Sequence, residues 1–227
     1  MLPFTADVLS ALYESYNRAV WPAALVFWLA ALAIAGLGLR SGRHGLTQRY
    51  NRVAGVVLAG AWVWVGIVFH LDFFAAINFW APLFGALFLV QAVLIAWTWA
   101  YRGRALSGWP VDAAGWAGLA LIAYAALGTP LIAATLGDGW ASARLAGIAP
   151  GPTALLTLGL LMLTQDRVPL HLTIIPVLWC LVAGVTAWQL GVPEDRIVAV
   201  LALTAVVLIV RANTRRRPAN TRRRRRG

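Results

Sequence analysis

The sequence predicts an all-α fold, a polytopic transmembrane helical bundle of about seven spans, and three observations predict it. Seven separate stretches are apolar enough to cross a bilayer, or nearly so. Over 227 residues the composition is 61% hydrophobic and only 12% charged, with a mean hydropathy of +0.75, far from the average of a soluble domain. Almost every arginine falls in gaps that alternating passage through a bilayer places on one side.

Residues 1–18 are expected to form an amphipathic interfacial helix rather than a span. Thr5 can cap it, and Phe4, Val8 and Leu12, with Leu9, Tyr13 and Tyr16, recur at helical spacing. Such a helix would lie on the outer leaflet. The transmembrane domain is expected over residues 19–210, and its first apolar run, from Ala19 to Leu39, is too long for a signal-peptide core. A basic loop with Arg40, Arg43, Arg49 and Arg52 follows. The second span runs from about Val53 to His70, and the link HLDFFAAIN leads to a third, from about Phe79 to Tyr101. After Arg102 and Arg104 comes a fourth span, from Ala113 to Leu136. A longer loop precedes a short fifth span, Thr153 to Gln165, and the sixth and seventh run from Val168 to Leu190 and from Arg196 to Val210. An arginine-rich tail, residues 211–227, completes the chain and is expected to be disordered.

With the N-terminus outside, nearly all the arginine-bearing gaps and the tail face the cytoplasm, leaving Arg18, Arg144 and Arg196 outside. An odd number of crossings then makes the C-terminus cytoplasmic. Trp21, Trp80, Trp140 and Trp188 fall at the outer interface and Trp97, Trp99 and Trp109 at the inner one, as aromatic belts require.

The fifth span is too short. Thirteen residues rise about 20 Å, against a hydrocarbon core of roughly 30 Å. Two readings follow: a broken helix capped at Thr153, whose exposed amides favour anions, or a loop followed by a tilted helix.

Polar residues gather at the outer ends of the spans: Glu14, Tyr16, Asn17, His70, Asp72, Asn78, Thr153 and the pair Glu194 and Asp195. One reading makes Glu14, Tyr16, Asn17, His70, Asp72, Asn78 and Thr153 the lining of an outward-facing vestibule that binds a proton, cation or small polar solute. The other makes them interfacial residues that satisfy helix ends. His70 and Asp72, two apart, point to different faces of a helix, and no second histidine lies near, so no metal site is expected. Arg215, Arg216, Arg217, Arg222, Arg223 and Arg224 of the tail are expected to bind anionic lipid headgroups or to anchor topology. Without a nucleic-acid-binding fold the charge run does not point to nucleic acid.

Function classes are also excluded. There is no Walker loop, HExxH or GxSxG motif, and the absence of lysine rules out a retinal Schiff base. Cys180, the single cysteine, cannot form an intrachain disulfide or a CxxC site. No cofactor and no enzymatic activity are expected.

In the segments LPFTADVLSALYESYNRAVWPA, HLDFFAAIN, APGPTALLTLGLL and GVPED the chain resembles an uncharacterised bacterial family of multi-pass membrane proteins, domain of unknown function 6064, over most of residues 1–210. That resemblance implies a bacterial inner-membrane location and carries no activity, ligand or catalytic residue with it. The layout of three spans, a linker span and three more is similar to that of the parallel-repeat sugar transporters called SWEETs. The function expected is binding or transport of a small solute or ion through the vestibule. The alternative is a non-enzymatic accessory or assembly subunit of a larger membrane complex.

Overall fold

A computed structural model describes residues 3–40, 48–102, 110, 112–136, 139–164, 166–191 and 196–216. Arg217, Arg222, Arg223 and Arg224 of the tail, and the acidic pair Glu194 and Asp195, lie outside the described residues. Among the described residues every regular element is helical. The helices are α1 (Ala6–Val20), α2 (Ala23–Arg40), α3 (Gln48–Trp64), α4 (Ala81–Ile95), α5 (Ala113–Ala123), α6 (Thr129–Leu136), α7 (Pro150–Met162), α8 (His171–Leu190) and α9 (Val198–Arg215). Three π-helical segments extend them: Val65–Phe73 continues α3, Ala96–Tyr101 continues α4, and Tyr124–Gly128 joins α5 to α6.

Five of the resulting helices are long and apolar enough to cross a membrane: Gln48–Ala76, Ala81–Tyr101, Ala113–Thr135, His171–Leu190 and Val198–Arg215. A sixth is reached only if α1 and α2, bent by 89° at the break between them, count as one. The fifth apolar stretch of the sequence is the short helix α7. The seven apolar stretches are therefore all helical where described, and among the described residues the number long enough to span is five to six.

α7 is the hub. All of its residues from Pro150 to Met162 are buried, so it is packed on every side by other helices. Its closest neighbour is α5, where a Cβ added at Gly159 would sit 2.8 Å from the Gly118 carbonyl oxygen, and one at Gly118 would sit 2.8 Å from the Gly159 carbonyl oxygen. Reciprocal glycines let the two backbones touch, the device by which apolar helices associate when lipid offers no hydrophobic driving force.

Both ends of this buried helix are completed by distant parts of the chain. At the N-terminal end, residues 143, 144 and 146–149, which follow a 3-10 turn at Trp140–Ser142, form a buried non-helical strap. Helix α1 lies over that strap and packs Leu9, Leu12, Tyr13, Tyr16 and Val20 into the protein. The expected helix is present, capped by Thr5 at Val8 N, and its apolar stripe packs on the bundle. Tyr16 is fully buried: its hydroxyl donates to the Ile148 carbonyl at 2.9 Å and accepts from Trp64 Nε1 at 2.9 Å. At the C-terminal end of α7, Arg216 Nη2 donates to the Met162 carbonyl at 2.9 Å and pairs with Asp112 Oδ2 at 3.1 Å. Asp112 in turn caps α5, accepting from Gly115 N at 2.8 Å. Asn213 adds a two-way bond to Val168, accepting from its N–H and donating to its carbonyl.

Arg216 is therefore turned inward, 5% exposed, and is not available to lipid headgroups in the way the sequence predicts. A guanidinium can satisfy a carboxylate and a helix-end carbonyl together, and a buried one must. Arg215 remains exposed.

Two predictions follow from these contacts. Gly159→Ala drives a methyl against the Gly118 carbonyl and the Ile122 side chain, and should lower stability by about 1–3 kcal/mol in denaturant unfolding of the purified protein. Arg216→Met leaves the Met162 carbonyl without its donor and Asp112, 37% exposed, without its partner. It should cost about 1–3 kcal/mol in the same measurement, with the hydrogen bond contributing more than the partly screened ion pair.

Candidate functional site

The residues expected to line one polar vestibule do not share a cavity. Tyr16 and Thr153 serve the N-terminal end of α7. Thr153 is not the cap: the helix begins at Pro150, and the Thr153 hydroxyl donates to the Ala149 carbonyl at 2.7 Å while accepting from Gly147 N at 2.9 Å. The anion site that a half-helix invites is also missing its donors. Pro150 and Pro152 carry no N–H and Thr153 N already bonds the Ala149 carbonyl, which leaves in the first turn the N–H of the buried Gly151 alone. Of the broken-helix reading, the short helix stands and its exposed amides do not.

Asn17 donates from Nδ2 to the carbonyls of Ala141 and Ala143, both at 2.8 Å, and so ties α1 to the strap. Asn78 accepts from Trp80 N at 3.0 Å as a local turn bond before α4. Asp72 is exposed and Glu14 half-buried. Burial pushes the Tyr16 phenol up, against the lowering effect of the Trp64 donor, so its hydroxyl stays protonated and holds the Ile148 carbonyl. Arg144, expected in an outer loop, is buried with its guanidinium 4.6 Å from the centre of the Tyr13 ring.

His70 belongs to a different neighbourhood. It lies in the π-helical segment after α3, fully buried, with its ring 4.6 Å from Phe88, 4.9 Å from Trp179, 6.0 Å from Phe74 and 6.2 Å from Phe84. Nδ1 lies 2.9 Å from the Val65 carbonyl. A carbonyl only accepts, so Nδ1 carries the proton and Nε2 presents a lone pair.

Other polar residues that the sequence showed only as isolated side chains have specific tasks. Pro176 cannot donate to the Leu172 carbonyl one turn back, and Gln91 Nε2 reaches across from α4 to bond it at 2.9 Å. Pro130 likewise leaves the Ala126 and Ala125 carbonyls without its N–H. Trp28 Nε1 takes the first at 2.7 Å and Thr129 Oγ1 the second at 3.0 Å. The pairing of each internal proline with a polar side chain elsewhere in the chain is a signal the sequence contains, but the partner cannot be chosen without the packing.

Two cavities open near α1. The larger, about 430 Å³, lies between the α1–α2 bend, the end of the α5–α6 helix and the strap, with walls from Trp21, Leu25, Trp28, Pro130, Leu131 and Trp140. Its surface is almost wholly apolar apart from Asn17. The smaller, about 40 Å³, lies on the other side of α1 among Phe69, Phe74, Asn78, Phe84, Trp179 and Thr186. Among the described residues no group of three or more histidine, cysteine, aspartate or glutamate side chains converges to hold a metal ion.

No curated protein and no solved structure matches the chain. A family model does, over residues 6–220, reaching past residue 210 into the arginine tail. The chain therefore belongs to the family of unknown function DUF6064.

Proposed function

We propose that the protein is a multi-pass protein of the bacterial inner membrane, N-terminus outside and C-terminus cytoplasmic, that binds a small uncharged molecule with an apolar body, of acyl-chain chemistry, in the cleft beside α1. The observation that carries this reading is the cleft of about 430 Å³, within the size range of ligand sites, bounded by tryptophans and aliphatic side chains. This replaces the polar solute of the sequence reading with an apolar one, because Tyr16, Asn17 and Thr153 spend their polar atoms on backbone groups.

The test is photo-crosslinking of the protein in nanodiscs with the methyl ester of a diazirine-bearing fatty acid. Adducts should concentrate in residues 17–28 and 127–145, and Leu131→Trp, which fills the cleft from a half-exposed position, should reduce them several-fold without loss of folding. Labelling spread evenly over lipid-facing positions such as Val90, Val93 and Val200, unchanged in Leu131→Trp, would overturn the proposal.

The alternative is a non-enzymatic accessory or assembly subunit of a larger membrane complex. It differs in predicting a stable assembly larger than the 24.5 kDa chain in native membranes. Orientation has its own check: reporter fusions within residues 41–51 and within the last ten residues should both be active only as cytoplasmic fusions. Opposite sides for the two would refute the threading.

A further inference from the structure

The cleft of about 430 Å³ has two unlike ends. Asn17 and Trp21 are four residues apart at the end of α1, so they share a face, and both line the cleft. Both Nδ2 protons of Asn17 are taken by the carbonyls of Ala141 and Ala143, which leaves Oδ1 as the atom with which it can bind a ligand. Trp140, directly before Ala141, opens the turn into the strap and lines the same end. Trp21 is 62% and Trp140 66% exposed, and an indole donates through its N–H. At the other end Trp28 gives its Nε1–H to the Ala126 carbonyl, beside Leu127, so its ring serves the cleft as apolar wall. Leu25 of α2 and Pro130 and Leu131 of α6 line the space between, and no charged side chain is among the described residues of the lining.

Small-molecule sites combine apolar walls with a few placed polar groups that fix the direction of the ligand. In this cleft those groups stand at one end. The alternation of spans separately puts Trp21 and Trp140 at the outer interface, where rings with an apolar body and a polar edge sit between water and hydrocarbon. The polar end of the cleft then coincides with the head-group level of the outer leaflet. We propose, resting on the reading of this cleft as a ligand site, that its ligand is a single-chain lipid with a neutral, hydroxyl-bearing head, the head between Asn17, Trp21 and Trp140 and the chain running toward Trp28. A hydroxyl donates to Asn17 Oδ1 and accepts from an indole N–H, so it answers both kinds of group. A methyl ester has no proton for Asn17. A carboxylate has none either, and the lining holds no cation to balance it. An ammonium has no lone pair for the indoles and meets no carboxylate.

The experiment uses the full chain in nanodiscs and two photoactive 1-monoacylglycerols, one with its diazirine on the chain beside the ester and one with it near the chain end. The first should label residues 17–21 and 140–143, the second residues 25–28 and 127–131. Reversed or identical patterns overturn the pose. Monododecanoyl glycerol and methyl dodecanoate are then compared as competitors of the methyl-ester probe, each counted as a mole fraction of the nanodisc lipid. The glycerol ester should displace the probe at about tenfold lower fraction, the effect of one added hydrogen bond. The double variant Trp21→Phe, Trp140→Phe keeps both exposed rings without their N–H groups. It should lose most of that advantage while labelling by the methyl-ester probe stays the same. Equal competition by the two esters in the native protein, or an undiminished advantage in the double variant, overturns the head-group assignment and leaves the apolar cleft standing. Absence of cleft labelling by every probe overturns both readings. Should the double variant not fold, the native competition and the two labelling patterns decide.

Discussion

The structure depends on one constraint: a helix too short to reach across an apolar bundle lies wholly inside it. At about 1.5 Å per residue, α7 leaves roughly a third of a hydrocarbon thickness to be completed by other segments. Its terminal backbone groups are far from bulk water and must find partners in the protein. At one end the solution is a buried strap with a helix laid over it, held by Tyr16, Asn17 and the hydroxyl of Thr153. At the other it is an arginine from the far end of the chain, positioned by a carboxylate that already caps α5. Remove α7 from this arrangement and neither α1 nor the end of α9 has a reason to fold inward.

The same rule governs the longer helices. Each internal proline removes a donor, and each freed carbonyl is met by a side chain: Gln91 for Leu172, Trp28 and Thr129 for Ala126 and Ala125. Along α7 the pattern becomes a ladder, in which Trp62 donates to the Thr157 hydroxyl and Thr157 donates to the Thr153 carbonyl. Threonine returning a proton to the carbonyl one turn back lets a hydroxyl sit in an apolar interior at little cost. Most of the sparse polar side chains in this protein are therefore struts, and a polar residue at the end of a span is weak evidence for a ligand.

That distinction marks what could be read from one dimension. Seven apolar runs became helices because a run of aliphatic residues favours burial whatever its neighbours, and Arg167, Asp112 and the start of the tail meet at one end, where Arg167 Nε donates to the Arg216 carbonyl. The run from Thr153 was also recognisably too short. What the sequence could not supply was depth and facing. Tyr16, Asn17, His70 and Thr153 are all expected on the outer side of the bundle, yet three of them serve the strap and α7 while His70 faces the aromatic cluster of α4 and α8. Arg216 looked like one more tail charge because nothing in a row of arginines distinguishes the one that meets Asp112.

Satisfied and unsatisfied polar groups can then be separated by what the fold requires. Tyr16, Asn17, Gln91 Nε2, Trp28, Trp62 and Asn213 all answer a backbone group or a hydroxyl whose need follows from a strap, a proline or a helix end. Trp179 answers none. Phenylalanine at that position would fill much of the same space beside Phe84, Phe88 and His70 without burying a donor, so packing alone does not account for an indole. The acceptor at His70 Nε2 is in the same position, because the bond to Val65 uses only Nδ1.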